Sequence, residues 1–284
     1  MKRLILLFVL FVPLMCGAKK SEPTRLRLCS YNIRIKTSED VPIGASWESR
    51  RDRACQYILD NNIDIVCFQE VTTEMLPDIV ERLPQFGHRE QGRMGNPDRD
   101  EMTPVFYRKD KYEELAHGTF WYSETPDSVG SKSWDAYFPR VATWIKLRDK
   151  QTKQIFVATS THFDHRGQVA RRESGRMLPG MLQKIAGKYP AFVAGDFNTT
   201  RGSDAYSAIV GNPYVLRDAY FMSPKHTGVR YTVHCYSTIL PKDAPTIDFM
   251  FLSKHFQVLQ THYEPDIPDA PLSDHNPIWA DLEF

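Results

Sequence analysis

The amino-acid sequence predicts an α/β fold, and two observations support this prediction. Short apolar runs typical of buried strands recur along the chain and end in polar residues, and several are followed by segments with helical periodicity. The clearest run is 191–198, where Gly195 lets the backbone turn tightly and Asp196 and Asn198 then project from the carboxyl end of the strand. Because open α/β sheets place their chemistry at such ends, we expect a functional site there.

The first residues have the features of a secretory signal. A basic start, Met1-Lys2-Arg3, precedes an apolar stretch over 4–15 that is too short to span a bilayer comfortably. Small residues allow cleavage after Ala18, with lipid attachment at Cys16 as the alternative. The sequence thus predicts a signal peptide over 1–18, a linker over 19–24, a single domain over 25–284, and export to the periplasm or the cell exterior.

The charge of the exported chain is close to neutral. The 284 residues include 36 basic and 35 acidic ones, and removal of Lys2 and Arg3 leaves 34 against 35, a formal charge of −1. Proteins that track many phosphates are usually basic over the contacting face. The balance therefore argues against a long polyanion as the obligatory substrate, although local basic patches remain compatible with it.

Four cysteines lie beyond the predicted cleavage site: Cys29, Cys55, Cys67 and Cys235. No pair has the spacing of metal ligands. Cys29 and Cys67 stand inside apolar runs, as expected of small buried hydrophobes. We expect structural cysteines, with a disulfide that involves Cys235 as the alternative.

The elements follow from apolar periodicity and turn residues taken along the chain. Strands are predicted at 26–30, 63–68, 104–107, 112–121, 141–147, 155–160, 191–194, 246–252 and 278–282. Helices are predicted at 47–60, 75–83, 171–188 and 203–210. Long irregular segments at 86–103, 123–140 and 211–240 contain several aromatic residues, which is typical of functional loops.

Six strand-associated positions carry polar groups of complementary chemistry. They are Asn32, Glu70, His162, Asp196 with Asn198, Asp248, and Asp274 with His275. Each has a structural alternative, because Asn and Asp favour turns and a lone histidine is often structural. A carboxylate at the end of an apolar strand needs a cationic partner, which makes Glu70 a candidate metal ligand. Six such coincidences together favour one shared pocket.

The motifs around these positions identify a family resemblance. They are Ser30-Tyr-Asn-Ile33, Gln69-Glu-Val71, Thr161-His162, Gly195-Asp-Phe-Asn198, Ile247-Asp-Phe249 and Ser273-Asp-His275. In order and spacing they resemble the endonuclease/exonuclease/phosphatase superfamily, which includes deoxyribonuclease I and sphingomyelinases, over residues 25–284. Segment 120–126, Trp134-Asp135 and Arg140 also resemble features of its secreted or membrane-associated bacterial branch. The resemblance implies a two-layered β-sandwich flanked by helices, with the site at one rim.

The resemblance also implies roles for the matching residues. Glu70 would hold a divalent cation, Mg²⁺ or Mn²⁺, and Asn32 would support that ligation or the phosphate. Asp274 would contribute to a second ion where one is used. Hard oxygen ligands suit Mg²⁺, and a structural Ca²⁺ site is the alternative.

The remaining motif residues would carry the chemistry. Asp196 would orient or deprotonate the attacking water, and Asn198 would hydrogen-bond the phosphoryl oxygens. Asp248 would pair with His275 and favour its protonated form, and His162 would stabilise the developing charge.

The function expected from these residues is metal-dependent phosphoester hydrolysis outside the cytoplasm. Loop residues expected to line the substrate pocket are Arg93, Glu101, Trp134, Asp135 and Arg140. The near-neutral charge favours a small or lipid-like phosphodiester over nucleic acid, and we expect a monomer with no obligate protein partner. Alternatives are a secreted nuclease, a noncatalytic binding protein, and a two-carboxylate glycan hydrolase, which the two amides and two histidines disfavour.

Overall fold

The computed structural model describes residues 22–284 of the chain. The predicted signal peptide, Cys16 and the first part of the linker lie outside the described residues. The strands are β1 Arg25–Asn32, β2 Ile65–Gln69, β3 Val71–Thr72, β4 Phe86–Arg89, β5 Glu101–Met102, β6 Val105–Arg108, β7 Tyr112–Trp121, β8 Val141–Asp149, β9 Ile155–His162, β10 Ala191–Asp196, β11 Leu216–Asp218, β12 His226–Gly228, β13 Asp248–Ser253, β14 Gln257–Tyr263 and β15 Ile278–Glu283. The helices are α1 Trp47–Asp60, α2 Leu76–Arg82, α3 Gln168–Ala186, α4 Asp204–Val210 and α5 Ala219–Met222, with a 3₁₀ turn at Ser38–Asp40. None of the described helices has the length and apolar character that a membrane crossing requires.

Two large sheets form the body of the molecule. The first has the strand order β12-β14-β15-β1-β2-β6-β4 and the second the order β11-β13-β10-β9-β8-β7, while β3 and β5 form a short ribbon. The neighbours β1 and β2 are parallel, as are β9 and β10. The antiparallel strand β13 places Asp248 opposite Asp196. The carboxyl ends of both parallel pairs therefore meet the start of β13 at one rim.

Side chains alternate between an inter-sheet core and two outer layers. In β10, Phe192 packs between the sheets, whereas its neighbour Val193 packs beneath α3 and α4. In β2, Ile65 faces the opposite sheet and Phe68 packs with α1 and α2. Burial on both faces explains the continuous apolar runs of these strands. The α/β class, with two sheets flanked by helices, is confirmed.

The predicted elements recur with modest shifts, and the main errors are omissions. The loop prediction over 86–103 is wrong at its ends, where β4 and β5 form. The segment 211–240 contains β11, α5 and β12, and β14 went unpredicted. Strands β4 and β12 are short and lie at the edges of the first sheet, and β14 carries a bulge between Val258 and Gln260 that interrupts alternation.

The cysteines follow the structural expectation. Cys29, Cys55 and Cys67 are buried, Cys235 is partly buried, and all four are free thiols. Burial raises the pKa of the Cys67 thiol, which keeps it protonated.

Candidate active site

The rim of the sandwich brings together polar side chains from both sheets, and Asn32 connects them. This buried amide at the end of β1 donates from Nδ2 to Glu70 Oε1 and to Asp196 Oδ2, each at 3.1 Å. The Arg34 amide donates to Asn32 Oδ1 at 3.1 Å, which fixes the orientation of the side chain. One amide therefore sets the relative position of two carboxylates from different sheets.

Glu70 directly follows β2 in the left-handed backbone region, with φ of 63°. Its Oε2 accepts a hydrogen bond from the Ile35 amide at 2.9 Å. Burial and the charge of Glu101 act to raise the pKa of Glu70, but the charged imidazole of His275 and the Ile35 amide lower it on balance. Glu70 is therefore an ionised carboxylate with fixed oxygens, held in an uncommon backbone conformation.

Asp196 is the last residue of β10 and is buried. Its Oδ1 accepts the amide of Asn198 at 2.8 Å, and its Oδ2 lies 3.5 Å from His162 Nε2 and 4.0 Å from His275 Nε2. Burial and the nearby carboxylate of Asp248 raise the pKa of Asp196. A carboxylate with a raised pKa is a stronger base than an ordinary aspartate.

Asp248 and His275 form a buried hydrogen-bonded pair. His275 Nδ1 lies 2.9 Å from Asp248 Oδ2. Burial alone would lower the pKa of His275, but the carboxylates of Asp248, Asp274 and Asp196 raise it well above its usual value. The imidazole is therefore protonated, and its Nε2–H is available toward the Asp196 side of the site.

His162 and Asn198 form a second pair beside Asp196. Asn198 Nδ2 donates to His162 Nε2 and to the Phe163 carbonyl, both at 3.0 Å. Burial and the neighbouring Arg140 lower the pKa of His162 to about 3, so the ring is neutral and its one proton lies on Nδ1. The predicted donation from Asn198 to phosphoryl oxygens requires one of these two contacts to open, since both Nδ2 hydrogens are engaged.

Asp274 lies on the opposite flank, next to a cation that sequence reasoning missed. Its Oδ2 is 3.6 Å from Arg34 Nη1, while the Arg34 guanidinium also pairs with Asp40 at 3.1 Å. Burial raises the pKa of Asp274, and the charge of Glu70 acts in the same direction. The only sequence signal for Arg34 was its position two residues after Asn32.

Three of the five loop residues reach the same site. Glu101 Oε1 lies 2.6 Å from Arg93 Nη1 and 3.6 Å from both Arg140 Nη1 and His162 Nδ1. Arg140 is 5% exposed, and its Nε and Nη1 have no hydrogen-bond partner among the described residues. Arg93, Glu101 and Arg140 therefore form a charged wall beside His162.

The other two loop residues lie elsewhere. Asp135 accepts the amides of Val169 and Ala170 at 3.2 and 2.7 Å, and so caps the start of α3. Trp134 is 37% exposed and has a left-handed backbone with φ of 58°. These placements favour the structural alternative for Asp135 and leave the substrate contact of Trp134 a prediction.

Asp164 is a further residue that sequence reasoning missed. Its carboxylate accepts the amides of Tyr137, Phe138, Arg166 and Gly167 at 2.7–3.2 Å. It thereby ties the loop before Arg140 to the corner after β9. The signal was available, because Asp164 follows His162 by two residues.

The donor chemistry of this rim fits a hard divalent cation. Oxygens dominate it, and Asp248 Oδ1 is buried without a hydrogen-bond partner among the described residues. Two positions compete: Glu70, and a trio of Asp196, Asp248 and His275 whose ligand atoms lie within 4.8 Å of one another. The trio is the weaker choice while His275 is protonated, because both ring nitrogens of an imidazolium carry hydrogens and neither can ligate a metal.

Comparison with known proteins identifies the family. The model of the Endonuclease/Exonuclease/phosphatase family matches residues 29–275. A solved endonuclease/exonuclease/phosphatase from Bacteroides vulgatus is 44% identical, with a TM-score of 0.89 over 92% of this chain and 99% of that one. A mannosyl-6-phosphatase from Bacteroides thetaiotaomicron is 31% identical, with a TM-score of 0.83 over 91% of this chain and 100% of that one.

A curated relative, nocturnin of Drosophila melanogaster, is 25% identical over 210 residues, which cover 66% of this chain. The match spans 30% of the length of nocturnin, and that of protein angel from the same organism spans 48% of its length. On the family model and the two Bacteroides structures, the chain belongs to the endonuclease/exonuclease/phosphatase family, whose members hydrolyse phosphoesters.

Proposed function

We propose that the protein is an exported, divalent-metal-dependent hydrolase of a phosphoester, either a phosphodiester or a phosphomonoester. The observation that carries this proposal is the Asn32 amide, which holds the Asp196 and Glu70 carboxylates in fixed relation. Asp196 has the raised pKa of a general base, whereas Glu70 remains ionised. Two carboxylates with opposite pKa shifts suit two different roles.

The reaction needs a water molecule that loses a proton and an environment that stabilises negative charge on the phosphoryl oxygens. Asp196 accepts the proton of the attacking water as the water oxygen bonds to phosphorus. The bond between phosphorus and the alcohol oxygen breaks, and the leaving alkoxide takes a proton from solvent. The protonated His275, oriented by Asp248, donates its Nε2–H to a phosphoryl oxygen. Asn198 and His162 hold each other beside Asp196 and keep the ring of His162 in one orientation.

Glu70 would hold Mg²⁺ or Mn²⁺ through its fixed oxygens. When bound, the cation supplies neutralisation of charge on the phosphoryl group. Asn32 keeps Glu70 at a set distance from Asp196. The cation-binding carboxylate and the base can therefore act on the same phosphoryl group.

Export and a small substrate complete the proposal. Export rests on the basic and apolar residues of 1–15. A small phosphoester is favoured by the near-neutral charge, and one 31% identical relative is a mannosyl-6-phosphatase.

A secreted nuclease is the second candidate, and arginine–aromatic pairs near the site favour it. The Arg166 guanidinium lies over the Tyr137 ring at 4.0 Å, and that of Arg93 lies over Phe138 at 4.4 Å. Proteins that bind single-stranded nucleic acid combine cationic and aromatic side chains in this way.

The test is hydrolysis by purified residues 19–284 with Mg²⁺, Mn²⁺, Ca²⁺ or EDTA. The substrates are sugar phosphates, aryl phosphomonoesters and phosphodiesters, sphingomyelin, and single- and double-stranded oligonucleotides. We expect turnover with Mg²⁺ or Mn²⁺ that Asp196→Asn reduces by about 10²–10⁴-fold. Asp204→Asn, the same change at an exposed residue of α4, is the matched control.

Two outcomes would refute the proposal. Turnover that persists in EDTA would exclude the metal-dependent reaction. Absence of turnover on every substrate would favour a noncatalytic binding protein. A preference for oligonucleotides would not refute phosphoester hydrolysis but would identify the protein as the nuclease.

A further inference from the structure

A cavity of about 620 Å³ opens directly beside the catalytic rim. One of its walls includes Ile35, whose amide donates to Glu70 Oε2. Another includes Glu101, whose Oε1 is 3.6 Å from His162 Nδ1. A phosphoester with its phosphorus at the rim therefore has this cavity available for the alcohol portion of the molecule.

The lining of the cavity is about half polar and carries charges of both signs beside the apolar side chains of Ile35, Met94 and Phe138. Its polar part includes Thr72 and Thr73, the cations Lys36, Arg93 and Arg99, and the acids Glu74, Asp98, Asp100 and Glu101. An acyl chain would desolvate these groups without pairing them, which is costly. A polyanion would be repelled by the carboxylates of Glu74, Asp98 and Glu101. Alcohol hydroxyls can bond to both the cationic and the acidic side chains, because each hydroxyl donates one hydrogen bond and accepts others.

Arg93 and Glu101 lie at the inner wall of the cavity, where neighbouring groups fix their positions. The Arg93 amide donates to the Glu101 carbonyl at 3.0 Å, and Trp121 Nε1 donates to the Arg93 carbonyl at 2.7 Å. The Arg93 guanidinium is stacked on Phe138. These contacts fix both residues before any ligand binds, which lowers the entropic cost of recognition.

The loop that carries this pair is organised by one buried carboxylate. Asp100 accepts the amides of Met94 and Asn96, both at 3.0 Å, and of Glu101 at 2.8 Å. Among the described residues, Glu101 Oε2 accepts no hydrogen bond, and the Arg93 side chain bonds only through Nη1. A carboxylate oxygen and a planar guanidinium edge therefore remain for neighbouring hydroxyls of a ligand.

We propose that this cavity binds the alcohol portion of the substrate and selects a polyhydroxylated group the size of a monosaccharide, with Arg93 and Glu101 as specificity-determining residues. The inference rests on the proposed function and names the substrate class of the same site.

The first test compares two monoesters, a hexose 6-phosphate and phenyl phosphate, in wild type and Arg93→Leu. The measured quantity is the ratio of their kcat/KM values. We expect Arg93→Leu to lower this ratio by about 10- to 100-fold, because the phenyl group has no hydroxyls for Arg93 to bind. Arg93→Lys keeps the charge but loses the planar edge of the guanidinium. Its kcat/KM ratio should therefore lie between those of wild type and Arg93→Leu. Arg176→Leu on the exposed face of α3 should leave the ratio unchanged.

A binding measurement separates this inference from the proposed function. Calorimetric titration of Asp196→Asn in Mg²⁺ should show tighter binding of hexose 6-phosphate than of inorganic phosphate, and Arg93→Leu in that background should abolish the difference. Equal binding of the two ligands, or an unchanged kcat/KM ratio in Arg93→Leu, would overturn the assignment of the cavity even if phosphoesters are hydrolysed. A wild type that hydrolyses no ester would instead overturn the proposed function.

Discussion

Glu70 combines a functional side chain with a strained backbone. Its φ of 63° lies in the left-handed region, which costs a residue with a side chain about 1 kcal/mol or more and costs glycine little. Asn198, with φ of 48°, shares this conformation at the same rim. Uncommon backbone geometry thus occurs at two of the residues to which we assign function.

We predict that Glu70→Gly is more stable than Glu70→Ala by about 1 kcal/mol, although both variants lose hydrolysis. Urea unfolding of the two proteins measures the difference. The same pair of substitutions at Glu81, an exposed residue of α2, should give the opposite order, because glycine destabilises a helix. Equal stability of the two Glu70 variants would show that the backbone there is not strained.

The pH dependence of hydrolysis follows from the shifted pKa values of Asp196 and His275. In the proposed mechanism, activity requires Asp196 deprotonated and His275 protonated, and both pKa values are raised. The acid limb of kcat/KM should therefore lie above 3.8 and the alkaline limb above 6.5, the ordinary values of these groups. Because Asp196 and His275 interact, the pKa value of each limb describes the coupled pair and not a single residue.

In the residual activity of Asp248→Asn, loss of the carboxylate should lower both pKa values and move both limbs to lower pH. Profiles of kcat/KM against pH for the two proteins measure this shift. An alkaline limb that stays in place would contradict the pairing of Asp248 with His275.

At the scale of elements, local pattern predicted helices and central strands better than edges. Helix α1 has the predicted bounds, because its apolar positions Ala54 and Ile58 recur at helical spacing; in the structure the Ser46 side chain caps its start. Strand β4, Phe86-Gly-His-Arg89, lacks that pattern and forms by pairing with β6. Tertiary pairing that overrides weak local preference cannot be read from a single segment.

Asp164 shows how one buried carboxylate orders a loop, and its shifted pKa predicts how the stability of the protein depends on pH. Burial alone would raise its pKa, but the four amides lower it to about 2, against 3.8 in the unfolded chain. Its contribution to the free energy of unfolding, about 2 kcal/mol, is present above pH 3.8 and is lost as pH falls toward 2.

We expect Asp164→Asn to be less stable than wild type by up to about 2 kcal/mol at pH 6, with a gap that narrows as pH falls from 3.8 toward 2. Urea unfolding at several pH values measures it. Asp204→Asn, at an exposed position, should show no such gap. A difference between Asp164→Asn and wild type that is independent of pH would refute the electrostatic account.

At the scale of the whole molecule, the site exists because two parallel strand pairs end at the same rim. Sequence could place Asn32, Glu70, His162 and Asp196 at strand ends, since each follows an apolar run. It could not predict which loop residues reach them. Arg140 and Asp135 were equal candidates on the same loop, yet Arg140 lines the site and Asp135 caps α3. That choice depends on loop paths fixed by long-range contacts such as those of Asp164.

We propose that Glu70 holds the divalent cation on which hydrolysis depends, and this claim is tested by calorimetric titration with Mn²⁺. We predict that wild type binds Mn²⁺, that Glu70→Gln weakens binding at least about tenfold, and that Glu81→Gln leaves it unchanged. Binding that survives Glu70→Gln but is lost in Asp248→Asn would place the cation in the trio of Asp196, Asp248 and His275 and contradict the claim. A wild type that binds no divalent cation would contradict the metal-dependent mechanism as a whole.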